Sequence, residues 1–70
     1  MREVSITGDT IRLGQFLKLA DLVDAGAGVK DLLASGTVQV NDEPETRRGR
    51  QLHPGDVLDV DGERLRVGRA

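Results

Sequence analysis

The dipeptide Asp61-Gly62 constrains the fold more tightly than any other feature of the sequence. Both residues suit the positive φ angles of a two-residue hairpin turn, and apolar and polar residues alternate on either side. A two-residue turn here pairs Val60 with Glu63, Asp59 with Arg64 and Leu58 with Leu65. Side chains alternate between faces along a strand, so Leu58, Val60, Leu65 and Val67 share one apolar face. Asp59 and Arg64 meet on the other face as an oppositely charged pair that contributes about 0.2–1 kcal/mol. The register is self-consistent.

The preceding chain supplies helices to cover that face. Leu13, Phe16, Leu17 and Ala20 recur at i, i+3, i+4 and i+7, which predicts a first helix with one apolar stripe. Its other face carries Gln15, Lys18 and Asp21, and Gly14 weakens its start by roughly 1 kcal/mol relative to Ala. Val29, Leu32 and Leu33 form the stripe of a second helix, with Asp24 placed to cap its first turn and Gly36 to stop it. Gly26 and Gly28 soften that first turn.

Three shorter elements complete the pattern. Residues 3–7 read as a strand with Val4 and Ile6 on one face, ended by Gly8-Asp9. Residues 37–40 read as another, with Val38 and Val40 inward and Asn41-Asp42 turning the chain back. Pro44 cannot donate to a ladder, so the returning strand is short or at an edge. Pro54-Gly55 marks a type II turn. The expectation is a single α+β domain over residues 1–70, with no internal repeat, linker or low-complexity segment.

Seventy residues leave little room for an enclosed active site, because a chain of this size buries only about 60% of the surface it exposes unfolded. Cysteine is absent, which removes disulfides and thiolate metal sites and fits a reducing cytoplasm. The first residues lack an apolar signal core, and no run approaches the ~20 apolar residues of a membrane span. A soluble cytoplasmic protein is expected. His53 is the one histidine and sits in a turn, and no serine lies in a nucleophile-elbow context. Asp56, Asp59 and Asp61 alternate along a strand and turn but lack the glycine and terminal glutamate of a calcium loop. No glycine-rich phosphate loop is present. These absences argue against an enzyme and imply no cofactor, metal or small-molecule substrate.

Ten Lys and Arg against twelve Asp and Glu give a net charge of −2, where nucleic-acid-binding domains usually carry a basic excess. Screening restricts a phosphate's view to about 8–10 Å, so distribution outweighs the sum. Residues 46–55 contain only positive formal charge, concentrated in Arg47, Arg48 and Arg50 around Gly49. Two readings stand for this cluster. It is a solvated loop pairing with Glu43 and Glu45, or an anion site whose planar guanidinium forks match phosphate. Lys30 has Gly26, Ala27, Leu33 and Ala34 at i±3 and i±4, so no acid on its own helix offsets it. Lys18 is less distinctive, because Asp21 lies at i+3. Phe16, the sole aromatic and a core candidate, cannot build a base-stacking platform. An RNA ligand would therefore be recognised through phosphates, 2′-hydroxyls and helical shape, which favours structured RNA.

Four segments in order carry a resemblance to a known family. They are Arg12-Leu13-Gly14-Gln15-Phe16-Leu17-Lys18, Val29-Lys30-Asp31-Leu32-Leu33, Gly36-Thr37-Val38-Gln39-Val40-Asn41 and Pro54-Gly55-Asp56-Val57. Across about residues 11–60 the chain resembles the RNA-binding domain named for the fourth small-subunit ribosomal protein, the S-four-type domain or αL motif, and most closely its stand-alone bacterial YbcJ-like members. The resemblance implies two helices packed on a small bent antiparallel sheet, and RNA contact through the helix pair and adjoining loop. Carried over by position, the basic contacts fall on Arg12, Lys18, Lys30, Arg47, Arg48 and Arg50, with Gln15 as a polar neighbour. Two positions depart from the family pattern. Gly14 stands where Asp is common, and Ala25-Gly26 where a Ser-Arg pair often opens the second helix. The expected protein is a monomer that binds structured RNA, ribosomal RNA or tRNA, without catalysis. The alternative is a protein-interaction module on ribosomal or RNA-modifying partners.

Overall fold

In the computed structural model, which describes residues 1–24 and 27–70, the Asp61-Gly62 turn forms with φ of 48° and 88°. The chain runs β1 (Arg2–Ile6), β2 (Ile11–Arg12), α1 (Leu13–Leu19), α2 (Ala27–Ala34), β3 (Val38–Val40), β4 (Glu43–Pro44), β5 (Gln51–Leu52), β6 (Val57–Val60) and β7 (Glu63–Arg69). The β6–β7 register is Val60 to Glu63, Asp59 to Arg64 and Leu58 to Leu65, as the turn dictates. Arg64 Nε lies 3.4 Å from an Asp59 carboxylate oxygen, completing the expected cross-strand pair.

Around this hairpin the strands order as β1-β7-β6-β3-β4, and β2 and β5 form a separate two-stranded ribbon. Asn41 and Asp42 take φ of 52° and 69°, so the β3–β4 turn also has the left-handed backbone its residues allow. Pro44 lies on β4, an edge strand, where its missing N–H costs the ladder nothing. Gly55 adopts φ of 99° in the turn before β6.

One pairing differs from the antiparallel expectation. β1 runs parallel to β7, with Val4 opposite Val67, while the other pairings are antiparallel. Period-two alternation specifies a strand's faces and carries no information about its direction. Here direction follows from where the chain must go next, since β1 has to deliver the backbone to β2 and α1.

The core lies between the inner sheet face and the helix pair. Leu13, Phe16, Leu17 and Ala20 from α1 and its C-cap pack with Val29 and Leu33 of α2 onto Val38, Val40, Leu58, Val60, Leu65 and Val67. Gly36 takes φ of 79° just past α2, the left-handed conformation expected of its stop. The proposed Asp24 cap and the Ala25-Gly26 departure cannot be placed on α2, because residues 25 and 26 lie outside the described residues. His53 occupies a turn with its side chain 61% exposed, and its N–H donates to Asp56 at 2.8 Å. Asp56 also accepts from the Asn41 amide at 3.2 Å, so it ties two turns together. No described helix is long and apolar enough to cross a membrane.

Phe16 is fully buried at the centre of this core. A 70-residue domain has a stability on the order of 4–10 kcal/mol, and truncating a buried Phe to Ala costs about 3–5 kcal/mol. Phe16→Ala is therefore expected to lose about 30% or more of the total stability. Urea titration followed by circular dichroism checks this, and an unchanged midpoint would contradict the packing described.

Candidate nucleic-acid interface

Glu45 is buried to 6% exposure, an unusual place for a carboxylate. Its N–H donates to the Val38 carbonyl at 3.0 Å, which draws the start of the arginine loop inward. One oxygen, Oε2, accepts the backbone N–H groups of Thr46 and Arg47, each at 3.0 Å, and Arg47 Nε at 3.2 Å. The other, Oε1, accepts Arg47 Nη2 at 3.2 Å and Arg50 Nη1 at 3.0 Å. Burial of a lone carboxylate would raise its pKa, yet five donated hydrogen bonds outweigh desolvation. The side-chain and backbone hydrogen bonds of Arg47, with a further one from Arg50, lower the Glu45 pKa to about 2. The same hydrogen bonding raises the Arg47 pKa above its ordinary value.

The loop is also fastened to α1 through backbone alone. No side chain caps this helix, and the first N–H groups of any helix lack intrahelical partners. The Leu13 N–H donates to the Arg50 carbonyl at 2.8 Å and the Gly14 N–H to the Arg48 carbonyl at 2.9 Å. Gly14 also lets α2 pack closely here, while a side chain would still clear the loop. A Cβ on it would sit 3.3 Å from Val29 Cγ1 and 3.5 Å from both Cβ and the carbonyl oxygen of Arg48. The departure from the family pattern at residue 14 thus coincides with close packing of loop, α1 and α2, and the helix start is held by the loop.

These contacts divide the basic residues into two sets. Arg2, Arg47, Arg50, Arg64, Arg66 and Arg69 each pair with a carboxylate within 3.5 Å. Of ten Lys and Arg, the remaining four are Arg12, Lys18, Lys30 and Arg48, which make no ion pair among the described residues. All four are exposed. They also lie together. Arg12, Gln15, Lys18 and Arg48 line a cleft of about 230 Å³ floored by Gly14 and Gly49. Lys30, Thr46 and Arg48 line a second of about 460 Å³ beside Leu33 and Ala34. Arg48 belongs to both, so the clefts form one track across α1, the loop and α2.

The structure therefore brings Arg12, Gln15, Lys18, Lys30 and Arg48 onto one surface and gives Arg47 and Arg50 to Glu45. Glu43, the other acid considered as a partner for the arginines, pairs with none of the three among the described residues. Arg50 is 29% exposed and its guanidinium serves the carboxylate. Arg47 is 76% exposed, and with Nε and Nη2 engaged its Nη1 still faces outward. Sequence reasoning named Glu45 only as an exposed partner of the arginines, and missed that it is buried and accepts backbone N–H groups. The available signal was its place two residues before Arg47 and five before Arg50, a spacing from which one carboxylate can reach both.

Two comparisons with known proteins bear on this surface. Residues 4–68 match the S4 domain family. Over 59 residues the chain is 51% identical to the "Probable ribosome maturation protein RlbA" of Bacillus subtilis (strain 168), covering 84% of this chain and 83% of that protein. No solved structure shows significant similarity.

The Glu45 network makes a prediction about stability and pH. Its folded pKa lies below the ordinary 4.5, so its stabilisation is fully present above 4.5 and is lost as pH falls towards 2. Discounting for the solvent around Arg47, the contribution is on the order of 2 kcal/mol. Glu45→Gln is expected to be less stable than the parent by that amount at pH 7, with the gap closing progressively below pH 4.5. Urea titrations at several pH values measure it. A gap that stays constant down to pH 2 would mean the carboxylate is not ionised by this network.

Proposed function

The chain belongs to the S4 domain family, and from that premise we propose that it is a non-catalytic, single-domain RNA-binding protein acting in ribosome maturation in the cytoplasm. It acts as a monomer and holds structured RNA by its backbone phosphates. The observation that carries this reading is the gathering of every unpaired Lys and Arg among the described residues onto one track centred on Arg48. Four cations without carboxylate partners repel one another at close quarters, and an incoming polyanion relieves that repulsion while releasing its own counterions. The net charge of −2 does not oppose this locally, because the acids are tied to other arginines or stand away from the two clefts.

The residues have different parts in the mechanism. Arg48 sits where the clefts meet and its fork takes a phosphate in a bidentate manner. Arg12 and Lys18 extend the track along α1, and Lys30 extends it onto α2. Gln15 offers an amide to a 2′-hydroxyl or phosphate oxygen between them. Arg47 and Arg50 shape the loop through Glu45, and the outward Nη1 of Arg47 adds a contact at the rim.

Each phosphate neutralised on duplex RNA should add nearly 0.9 to the log–log salt slope of binding, by analogy with duplex DNA. Arg48→Ala is expected to weaken binding to an RNA hairpin irrespective of its sequence and to flatten that slope by about 1. Arg66→Ala, which removes a cation paired with Glu3 on the solvent face of the sheet, should leave the slope unchanged. Fluorescence-anisotropy titration at several salt concentrations measures both. Equal slopes for the parent and Arg48→Ala would refute the phosphate contact. Capture of ribosomal proteins that survives nuclease and the Arg48 substitution would replace RNA by a protein partner.

A further inference from the structure

A groove of about 680 Å³ runs between the end of β1, the following loop and α1. It shares Gln15 and Lys18 with the smaller Arg48 cleft, so the two adjoin at these side chains. Its lining differs from that of the phosphate track. Lys18 is the one charged residue on its wall, and no acid lines it. Ser5, Thr7 and Thr10 face it with hydroxyls that make no hydrogen bond to another described residue. Leu19 also lines it, 52% exposed because it lies off the buried stripe of α1. It therefore presents an apolar side chain to the groove.

The shared residues limit what can enter. A ligand whose phosphates rest along Arg48 and Lys18 reaches the groove with the next group on its backbone. Beyond Lys18 there is no cation to receive another phosphate, whereas hydroxyls and an apolar wall are present. That combination matches a nucleobase, which has an apolar face and a hydrogen-bonding edge. The groove's size lies within the ~300–1,000 Å³ of ordinary ligand sites. We propose that this groove receives an unpaired nucleobase, so that the preferred ligand is an RNA duplex carrying an unpaired nucleotide beside the bound phosphates.

The inference rests on the RNA-binding reading above and sharpens it. A base held in a helix cannot enter, since its face is stacked and its edge paired, and recognition of unpaired RNA generally depends on splayed-out bases. Leu19 and Ile11 supply the apolar wall that an aromatic supplies elsewhere, and hydroxyls rotate to donate or accept. A rotating donor–acceptor set does not discriminate strongly among base edges. The groove therefore selects for an unpaired nucleotide more than for its identity.

The test compares three RNAs in anisotropy titrations with the parent protein. They are a hairpin closed by a non-nucleotide linker so that every base is paired, the same hairpin with a three-nucleotide single-stranded extension, and that extension made abasic. The extended hairpin is expected to bind at least ten times more tightly than the paired one, with the abasic version falling back to the paired value. The Leu19→Ser/Thr10→Val protein, altered at exposed positions, should lose this preference while keeping the affinity for the paired hairpin and its salt slope. Equal binding of paired and extended RNA overturns the base site and leaves the phosphate track standing. A preference that persists with the abasic RNA, or in the double variant, also overturns it. Failure of the parent protein to bind any of the three RNAs overturns the RNA-binding reading itself.

Discussion

The Glu45 carboxylate organises the functional half of the molecule. A loop with three arginines in four positions has no apolar side chain with which to anchor itself. A single buried acid, bonded to two of those arginines and to two backbone N–H groups, holds it in a defined shape. With the loop held, its carbonyls reach the uncapped N–H groups of Leu13 and Gly14. The start of α1 depends on that contact, because propensity alone leaves a seven-residue helix unstable. Carboxylate, loop and helix thus support one another.

The same arrangement sorts charge. Guanidiniums that meet a carboxylate within the fold have their field largely cancelled, and six of the ten Lys and Arg are in that condition. Four of those six lie along β1 and β7, where alternating Arg and acid side chains form a neutral outer surface. The four left unpaired are contributed by β2, α1, α2 and the loop, and converge because α1 and α2 pack on either side of the loop through Gly14 and Val29. Net charge is a poor guide to such a protein, since a −2 total is compatible with a locally cationic track.

Scarcity of aromatics gives the surface its character. Phe16 is fully buried, so no Phe, Tyr or Trp ring is available to stack on a base. What remains is a surface of unpaired cationic ends and, beside it, a groove with Lys18 as its one charge, lined by Ser5, Thr7 and Thr10 and one exposed leucine. The proposed ligand, a polyanion with one accessible base, fits that division. The chain reaches it in 70 residues because the binding groups are on the outside of the core rather than in an enclosed cavity.

Much of this was legible in the residues, for identifiable reasons. The Asp61-Gly62 register, the stripes of α1 and α2, the Gly36 stop and the edge position of Pro44 are local, set by turn dihedrals and by periods of 2 and 3.6. Lys30 stood out because no acid lies three or four residues from it on its own helix. The direction of β1 and the β2–β5 ribbon are long-range, and nothing in a period or a dipeptide encodes them. The Glu45 bonds to Thr46, Arg47 and Arg50 are close in sequence, and what the sequence hides is the burial of that carboxylate by the fold. The sequence by itself determined which residues face the core and which segments turn. Only the tertiary structure decided which arginines meet a carboxylate and which are left unpaired on the surface, because charge along a chain does not say which charges meet in space.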